Sequence, residues 1–114
     1  MSDCVFCKIV AGEIPSAKVY EDEVCVAFRD LDPKAPVHLL VIPKGHIQSV
    51  DAVTPENSGV VAHIFEVIPK IMAEQGAKTG YRVITNIGPD AGQTVPHLHF
   101  HLLAGKEMGW NPAG

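Results

Sequence analysis

The segment His97-Leu98-His99-Phe100-His101-Leu102-Leu103 alternates histidine with apolar residues, and it constrains its own conformation more than any other stretch of the chain. Along a β-strand successive side chains point to opposite faces. The three imidazoles would then share one face, and Leu98, Phe100 and Leu102 would share the other, where they can seal against a core. With a rise of about 3.3 Å per residue, neighbouring imidazoles sit roughly 6–7 Å apart at their roots. Three rings at that spacing can converge on one group, a metal ion or a phosphate. Packing alone explains them poorly, because polar rings on one buried face cost free energy unless each finds a partner. A strand is therefore expected over 97–104.

The remaining pattern is that of an α+β chain with a mostly antiparallel sheet. Residues 4–11 carry Val5, Phe6, Ile9 and Val10 at helical spacing before Gly12 and Pro15, which predicts one or two helical turns. Residues 18–21 and 24–30 read as two strands joined by a tight turn at Asp22-Glu23, hence a hairpin. Residues 37–43 form a strongly apolar strand containing His38. Thr54-Pro55 reads as a helix start, with threonine as cap and proline at the first helical position. From there Val60, Val61, Ile64, Phe65, Ile68, Ile71 and Met72 make one apolar stripe, so a long helix should run to about Gly76, bent near Pro69. A further strand is expected over 81–87, a loop over 88–92, and a tail without periodicity from 105 onward that holds Trp110. The sum is one domain over 1–114, a five-stranded sheet with one long and one short helix.

Composition narrows the function. At 114 residues and a formal net charge of −4, without any basic run, the chain lacks the clustered Lys and Arg that long nucleic acids require. A small anionic ligand is still compatible, since a local pocket can oppose the global sign. No stretch approaches the roughly 18 apolar residues of a membrane span. Met1-Ser2-Asp3-Cys4 lacks the basic start and apolar core of a signal peptide. The odd count of three cysteines argues against a disulfide framework, and a cytoplasmic location is expected. Gly88-Pro89-Asp90-Ala91-Gly92-Gln93-Thr94 precedes the histidines, and such a loop can present backbone N–H groups to an anion, which favours phosphate over a bare metal.

Gly92-Gln93-Thr94-Val95-Pro96 followed by the alternating histidines resembles the signature of the histidine triad (HIT) family, His-φ-His-φ-His-φ-φ with φ apolar. Phe6-Cys7-Lys8-Ile9, Glu13-Ile14-Pro15, Ala27-Phe28-Arg29-Asp30, His38 to Lys44 and Met108-Gly109-Trp110 follow in the family's order, so the likeness covers nearly the whole chain. Length and tail resemble its nucleoside phosphoramidase branch. That resemblance implies a homodimer whose two sheets join, and hydrolysis of P–N bonds in purine nucleoside 5′-phosphoramidates, with no catalytic cofactor. His99 would be the nucleophile that forms a nucleotidyl-histidine. His101 and His38 would hold its ring and contact phosphate oxygens, and His97 would lie near the leaving group. Gly92, Gln93 and Thr94 would give donors to phosphate and departing amine, Asp30 would accept from the ribose hydroxyls, and Asn86 would lie near ribose or phosphate. Phe6, Ile9, Phe28 and Leu31 would line the base slot, and Trp110 would reach the partner's site. The residues themselves agree on one point: His99 alone has a like ring on both sides.

Cys4-Val5-Phe6-Cys7 is half of a tetrahedral zinc site, or else a pair of small apolar residues on a short helix. Some HIT proteins resemble it in carrying this pair and binding structural zinc with two histidines, and the matching positions are His46 and His97. The two roles of His97, ligand and leaving-group acid, exclude each other, and the metal is favoured. Other readings are a dinucleoside polyphosphate hydrolase or nucleotidyl transferase, a non-catalytic nucleotide-binding regulator, and a metal-dependent hydrolase that uses His97, His99 and His101 as ligands. Cys25 reads as core, and His63 has no assigned role.

Overall fold

The computed structural model describes residues 4–110. Apolar alternation and turn residues produce the expected succession: α1 (Val5–Val10), β1 (Lys18–Glu21), β2 (Cys25–Arg29), β3 (Val37–Pro43), α2 (Ser58–Glu74), β4 (Arg82–Ile84) and β5 (Phe100–Ala104). The strands form one antiparallel sheet in the order β1-β2-β3-β5-β4. The architecture is the α+β arrangement read from the sequence, one long helix and one short one on a five-stranded sheet.

Each face of the sheet has its own helix. Ile64, Val67, Ile68, Ile71 and Met72 of α2 pack on Ala27, Leu39, Val41, Phe100 and Leu102, all nearly inaccessible. Burial of this apolar surface is the main stabilising term, worth about 25 cal/mol per Å². Phe6 and Ile9 of α1 pack on Val26, Phe28, Leu40 and Ile42 across the sheet. The histidine face belongs to this thinner side, because Leu40 stands directly opposite His101 in the β3–β5 register.

Three boundaries differ from expectation. Helix α2 begins at Ser58 with Asn57 in the cap position, not at Thr54-Pro55. The Asn57 side chain accepts from Thr54 N–H at 2.7 Å and donates to Ala52 O at 3.1 Å, winding 52–57 into a turn before the helix. Phe65, placed in the apolar stripe, is 48% exposed although its ring touches Phe100. Pairing in β4 stops at Ile84, and β5 begins at Phe100, so His97, Leu98 and His99 stand outside the ladder. Proline explains the late start of β5. With Val41 opposite Phe100, Pro43 would face Leu98 and has no N–H to continue the ladder. Leu98 N–H bonds Ile47 O at 2.6 Å instead. The last four residues of the expected tail lie outside the described residues.

His63 has a partner that local sequence cannot reveal. Its Nε2 lies 2.6 Å from Asp22 Oδ2, which also accepts from Tyr20 Oη at 2.6 Å. Asp22 Oδ1 accepts from Val24 N–H at 2.7 Å and Cys25 N–H at 2.9 Å. Burial alone would raise the Asp22 pKa, but these bonds hold it well below the usual carboxylate range. One carboxylate thus closes the β1–β2 turn and ties it to α2. Asp22→Ala should destabilise the chain by about 2–3 kcal/mol. For a domain of this size that is a fall in Tm of roughly 10 °C, read by thermal denaturation.

Candidate functional site

A relay of tautomers starts in the loop after β2. Lys34 N–H donates to His38 Nδ1 at 3.0 Å, so the proton of that neutral ring is on Nε2. His38 Nε2 is 2.9 Å from His101 Nδ1 and donates to it, which places the His101 proton on Nε2, pointing away from His38. Asp30 Oδ2 stands 3.4 Å from His38 Nε2 and 4.0 Å from His101 Nδ1. His99 is fixed independently: its Nδ1–H donates to the His97 carbonyl at 2.7 Å. The Nε2 lone pair is therefore unprotonated in the neutral ring. His99 is buried at 6% exposure, and its Nε2 makes no hydrogen bond among the described residues.

His99 is held by its backbone as well. Thr85 Oγ donates to the His99 carbonyl at 2.8 Å and replaces the ladder bond that β4 no longer supplies. The His99 ring stands edge-on between Phe6 and His101, at centroid distances of 5.1 Å to each. Burial lowers the pKa of His38 and, with the neighbouring His99 and His38 rings, brings that of His101 down to about 4. Both rings are therefore neutral at pH 7. An unfolded histidine takes a proton near pH 6.5, which folded His101 refuses until about pH 4. Stability should fall as pH drops through that window, and below it as Asp22 is protonated. A Tm-against-pH series checks this.

Two cavities flank these rings. An apolar slot of about 260 Å³ is lined by Phe6, Ile9, Phe28, Asp30 and Leu31, together with residues on either side of Pro15. The second, about 270 Å³, is lined by Asp30, Lys34, His38, Asn86 and His101. Asp30 faces both, and His99 lines neither but touches one lining residue of each. The residues expected for base, ribose and phosphate, Phe6, Ile9, Phe28, Leu31, Asp30 and Asn86, are thus gathered around the histidines.

Other expected residues lie elsewhere. Both amide protons of Gln93 are committed within the chain: Nε2 donates to Gln48 O at 2.8 Å and Val95 O at 3.1 Å, while Oε1 accepts from Gly88 N–H at 2.9 Å. It fastens the loop to the segment after β3. Gly92, in the left-handed region at φ +80°, and exposed Thr94 line neither cavity. Trp110 is 90% exposed and lines neither. His97 is wholly buried with both ring nitrogens engaged, which removes it as a leaving-group acid.

The engagement of His97 defines a second centre. Its Nε2–H donates to Pro43 O at 2.9 Å, leaving the Nδ1 lone pair toward three neighbours. Cys4 Sγ is 3.3 Å away, Cys7 Sγ 3.5 Å and His46 Nδ1 3.2 Å. Cys7 Sγ also lies 3.3 Å from His46 Nδ1. All four ligand atoms fall within 4.8 Å of one another. Bonds of about 2.0–2.3 Å to tetrahedral zinc imply ligand–ligand edges of roughly 3.3–3.8 Å, and the observed spacings fit. The carbonyl behind His97 fixes its tautomer, as outer partners of metal-ligating imidazoles do. Thr85, the Lys34 amide and Pro43 O were not marked by any sequence signal, since each acts through backbone geometry set by the fold.

An antiparallel five-stranded sheet with alternating histidines that lead into the last strand, flanked by an apolar slot, defines a class shared with histidine triad proteins. The chain belongs to the HIT family: the HIT domain pattern matches residues 11–108. It is 47% identical over 110 residues to an uncharacterized HIT-like protein of Synechococcus elongatus, covering 96% of each chain. It is 42% identical over 103 residues to protein HitA of Neisseria gonorrhoeae, covering 90% of this chain and 96% of that one. A HIT family hydrolase from Clostridium thermocellum superposes with TM-score 0.95 at 47% identity over 98% of both chains. A histidine triad protein from Clostridium difficile gives 0.91 at 53% identity over 95% of both. No helix of the described residues is long and apolar enough to cross a membrane.

Proposed function

We propose that this protein is a cytoplasmic nucleotide-binding hydrolase that cleaves P–N bonds of purine nucleoside 5′-phosphoramidates through a nucleotidyl-histidine at His99. The observation that carries the reading is the His99 tautomer: with Nδ1–H committed to the His97 carbonyl, Nε2 keeps its lone pair on a ring that touches Phe6 of one cavity and His101 of the other. The HIT family hydrolase that superposes on this chain supports the hydrolytic class.

The base lies in the apolar slot, Asp30 accepts from the ribose hydroxyls, and the phosphate reaches the rings. His99 Nε2 bonds to phosphorus, the P–N pair departs on nitrogen, and the amine takes one proton from solvent. The positive charge left on the ring is stabilised by the bond from Nδ1–H to the His97 carbonyl. Water then bonds to phosphorus, the Nε2–P bond breaks, and one proton returns to solvent. His101 Nε2–H donates to a phosphate oxygen throughout, held in register by His38. Two moderate barriers replace one high one. Incubation with adenosine 5′-phosphoramidate tests this: AMP should accumulate, and rapid acid-free quenching should trap a protein heavier by one AMP moiety. Wild-type protein that releases no AMP would remove the reading.

Cys4, Cys7, His46 and His97 hold a structural zinc ion, which supplies no catalytic step. The edge strand β4, where Val83 and the preceding Tyr81 are exposed, is the surface through which two copies join their sheets. Thr85 positions His99. Thr85→Val should lower kcat by roughly 10–100-fold while AMP affinity holds, and Thr85→Ser should restore it; single-turnover rates beside calorimetry decide.

A further inference from the structure

The four-residue centre and the nucleotide slot share parts. Phe6 sits on α1 between the two cysteines, and its ring meets Phe28 at 5.8 Å, His97 at 5.8 Å and His99 at 5.1 Å. His97 gives its ring to the centre and its carbonyl to His99. Cys4 Sγ also caps α1, accepting from Cys7 N–H at 3.4 Å. A change at the two sulfurs must therefore pass into the slot through one helical turn and one peptide.

We propose that Cys4 and Cys7 form a reversible dithiol–disulfide pair, modified by peroxide-class oxidants, whose closure loosens the adjoining nucleotide slot. Closure itself rests only on this geometry, whereas the effect on a nucleotide rests on the function proposed above. Three observations support the pair. The sulfurs lie within 4.8 Å of each other, and a disulfide needs about 2.0 Å, a movement that side-chain rotation at the start of a short helix can supply. Both cysteines are half-buried and the adjoining His46 is exposed, so a small oxidant has access. Cys25 is wholly buried, and burial pushes its thiol up to about 12, which leaves it protonated and inert as an internal control.

The chemistry balances. One thiolate attacks a peroxide oxygen, the O–O bond breaks, and a sulfenic acid and hydroxide result. The second thiolate attacks that sulfur and displaces hydroxide, forming the S–S bond. Two thiolates, hydrogen peroxide and two protons give a disulfide and two waters, the sulfurs losing two electrons and the peroxide gaining them. A disulfide cannot ligate zinc as two thiolates do, so any bound ion is left with His46 and His97 alone and dissociates. His97 then loses both sulfur neighbours, and Phe6 moves with the turn that carries it.

The full chain is treated with hydrogen peroxide and mapped with trypsin, which leaves both cysteines on the peptide 1–8. That peptide should become lighter by about 2 Da, as loss of two hydrogens requires. Titratable thiols should fall from three to one, and dithiothreitol should reverse both changes. The amide resonances of His99 and Phe28 should shift, and the AMP dissociation constant should rise about tenfold, within the usual range of coupling between sites. Phe6→Leu should oxidise equally but respond less in AMP affinity. Irreversible sulfinic acid in place of the disulfide would overturn the proposal. So would a disulfide that leaves the resonances of His99 and Phe28 unmoved. If the reduced protein binds no AMP, the nucleotide reading falls, and the peptide mass and resonances still decide the pair.

Discussion

Replacing His99 with alanine should reduce AMP release from adenosine 5′-phosphoramidate by about 10³-fold or more, while AMP binding persists. The reason is geometric. The lone pair of the proposed nucleophile is fixed by one bond, from Nδ1–H to the His97 carbonyl. No neighbouring ring can replace it, because His101 Nδ1 is occupied by His38 and its Nε2 carries the proton. Loss of a covalent nucleophile is a loss of transition-state stabilisation, so it falls on kcat. The slot keeps Phe6, Ile9, Phe28 and Leu31, and Asp30 keeps its place between the cavities. Calorimetry should therefore find AMP affinity retained, and mass spectrometry should find no nucleotidyl adduct. A variant that keeps wild-type turnover would show that phosphorus is attacked by something other than His99. His101→Ala should act differently, leaving Nε2 of His99 in place but removing a donor to the phosphate, so adduct would form slowly rather than not at all.

Period-two alternation located the histidine face correctly because it depends on side-chain direction, which an extended chain keeps even where no strand pairs with it. His97 and His99 accordingly share a face with His101 although β5 starts only at Phe100. The ladder's end was illegible because it depends on Pro43, a residue far away in sequence that the β3–β5 register brings opposite. The same distinction separates the two aspartates. Asp30 follows an apolar strand and reaches both cavities by its own position at the strand end. Asp22 looked like a turn residue only, because its bond to His63 joins positions that α2 brings together through packing. Gln93 misled for a related reason. The family resemblance implies a phosphate donor there, yet its amide spans a gap between two loops whose separation is a tertiary fact.

Removing the zinc proposed for Cys4, Cys7, His46 and His97 should cost more stability than any single substitution outside the core. The four candidate ligands come from α1, the segment after β3 and the segment before β5, so an ion there would join residues 4 and 97 directly. Without it, α1 is held by Phe6, Ile9 and their apolar neighbours on a thin layer. A cross-link that closes a loop of about 90 residues acts like a long-range disulfide, worth roughly 4.6 kcal/mol in chain entropy. Ligation adds to this because the unfolded chain offers no preformed site. Prolonged dialysis against a chelator should therefore lower Tm by about 15 °C or more, and one equivalent of zinc should restore it. The same treatment should raise the AMP dissociation constant, since Phe6 and Ile9 line the slot from α1. Cys7→Ala should reproduce both effects without chelator. Elemental analysis is the decisive check: about one zinc per chain is expected in protein purified without chelator. A metal-free preparation with unchanged Tm would mean that the cysteines and histidines hold α1 by hydrogen bonds alone.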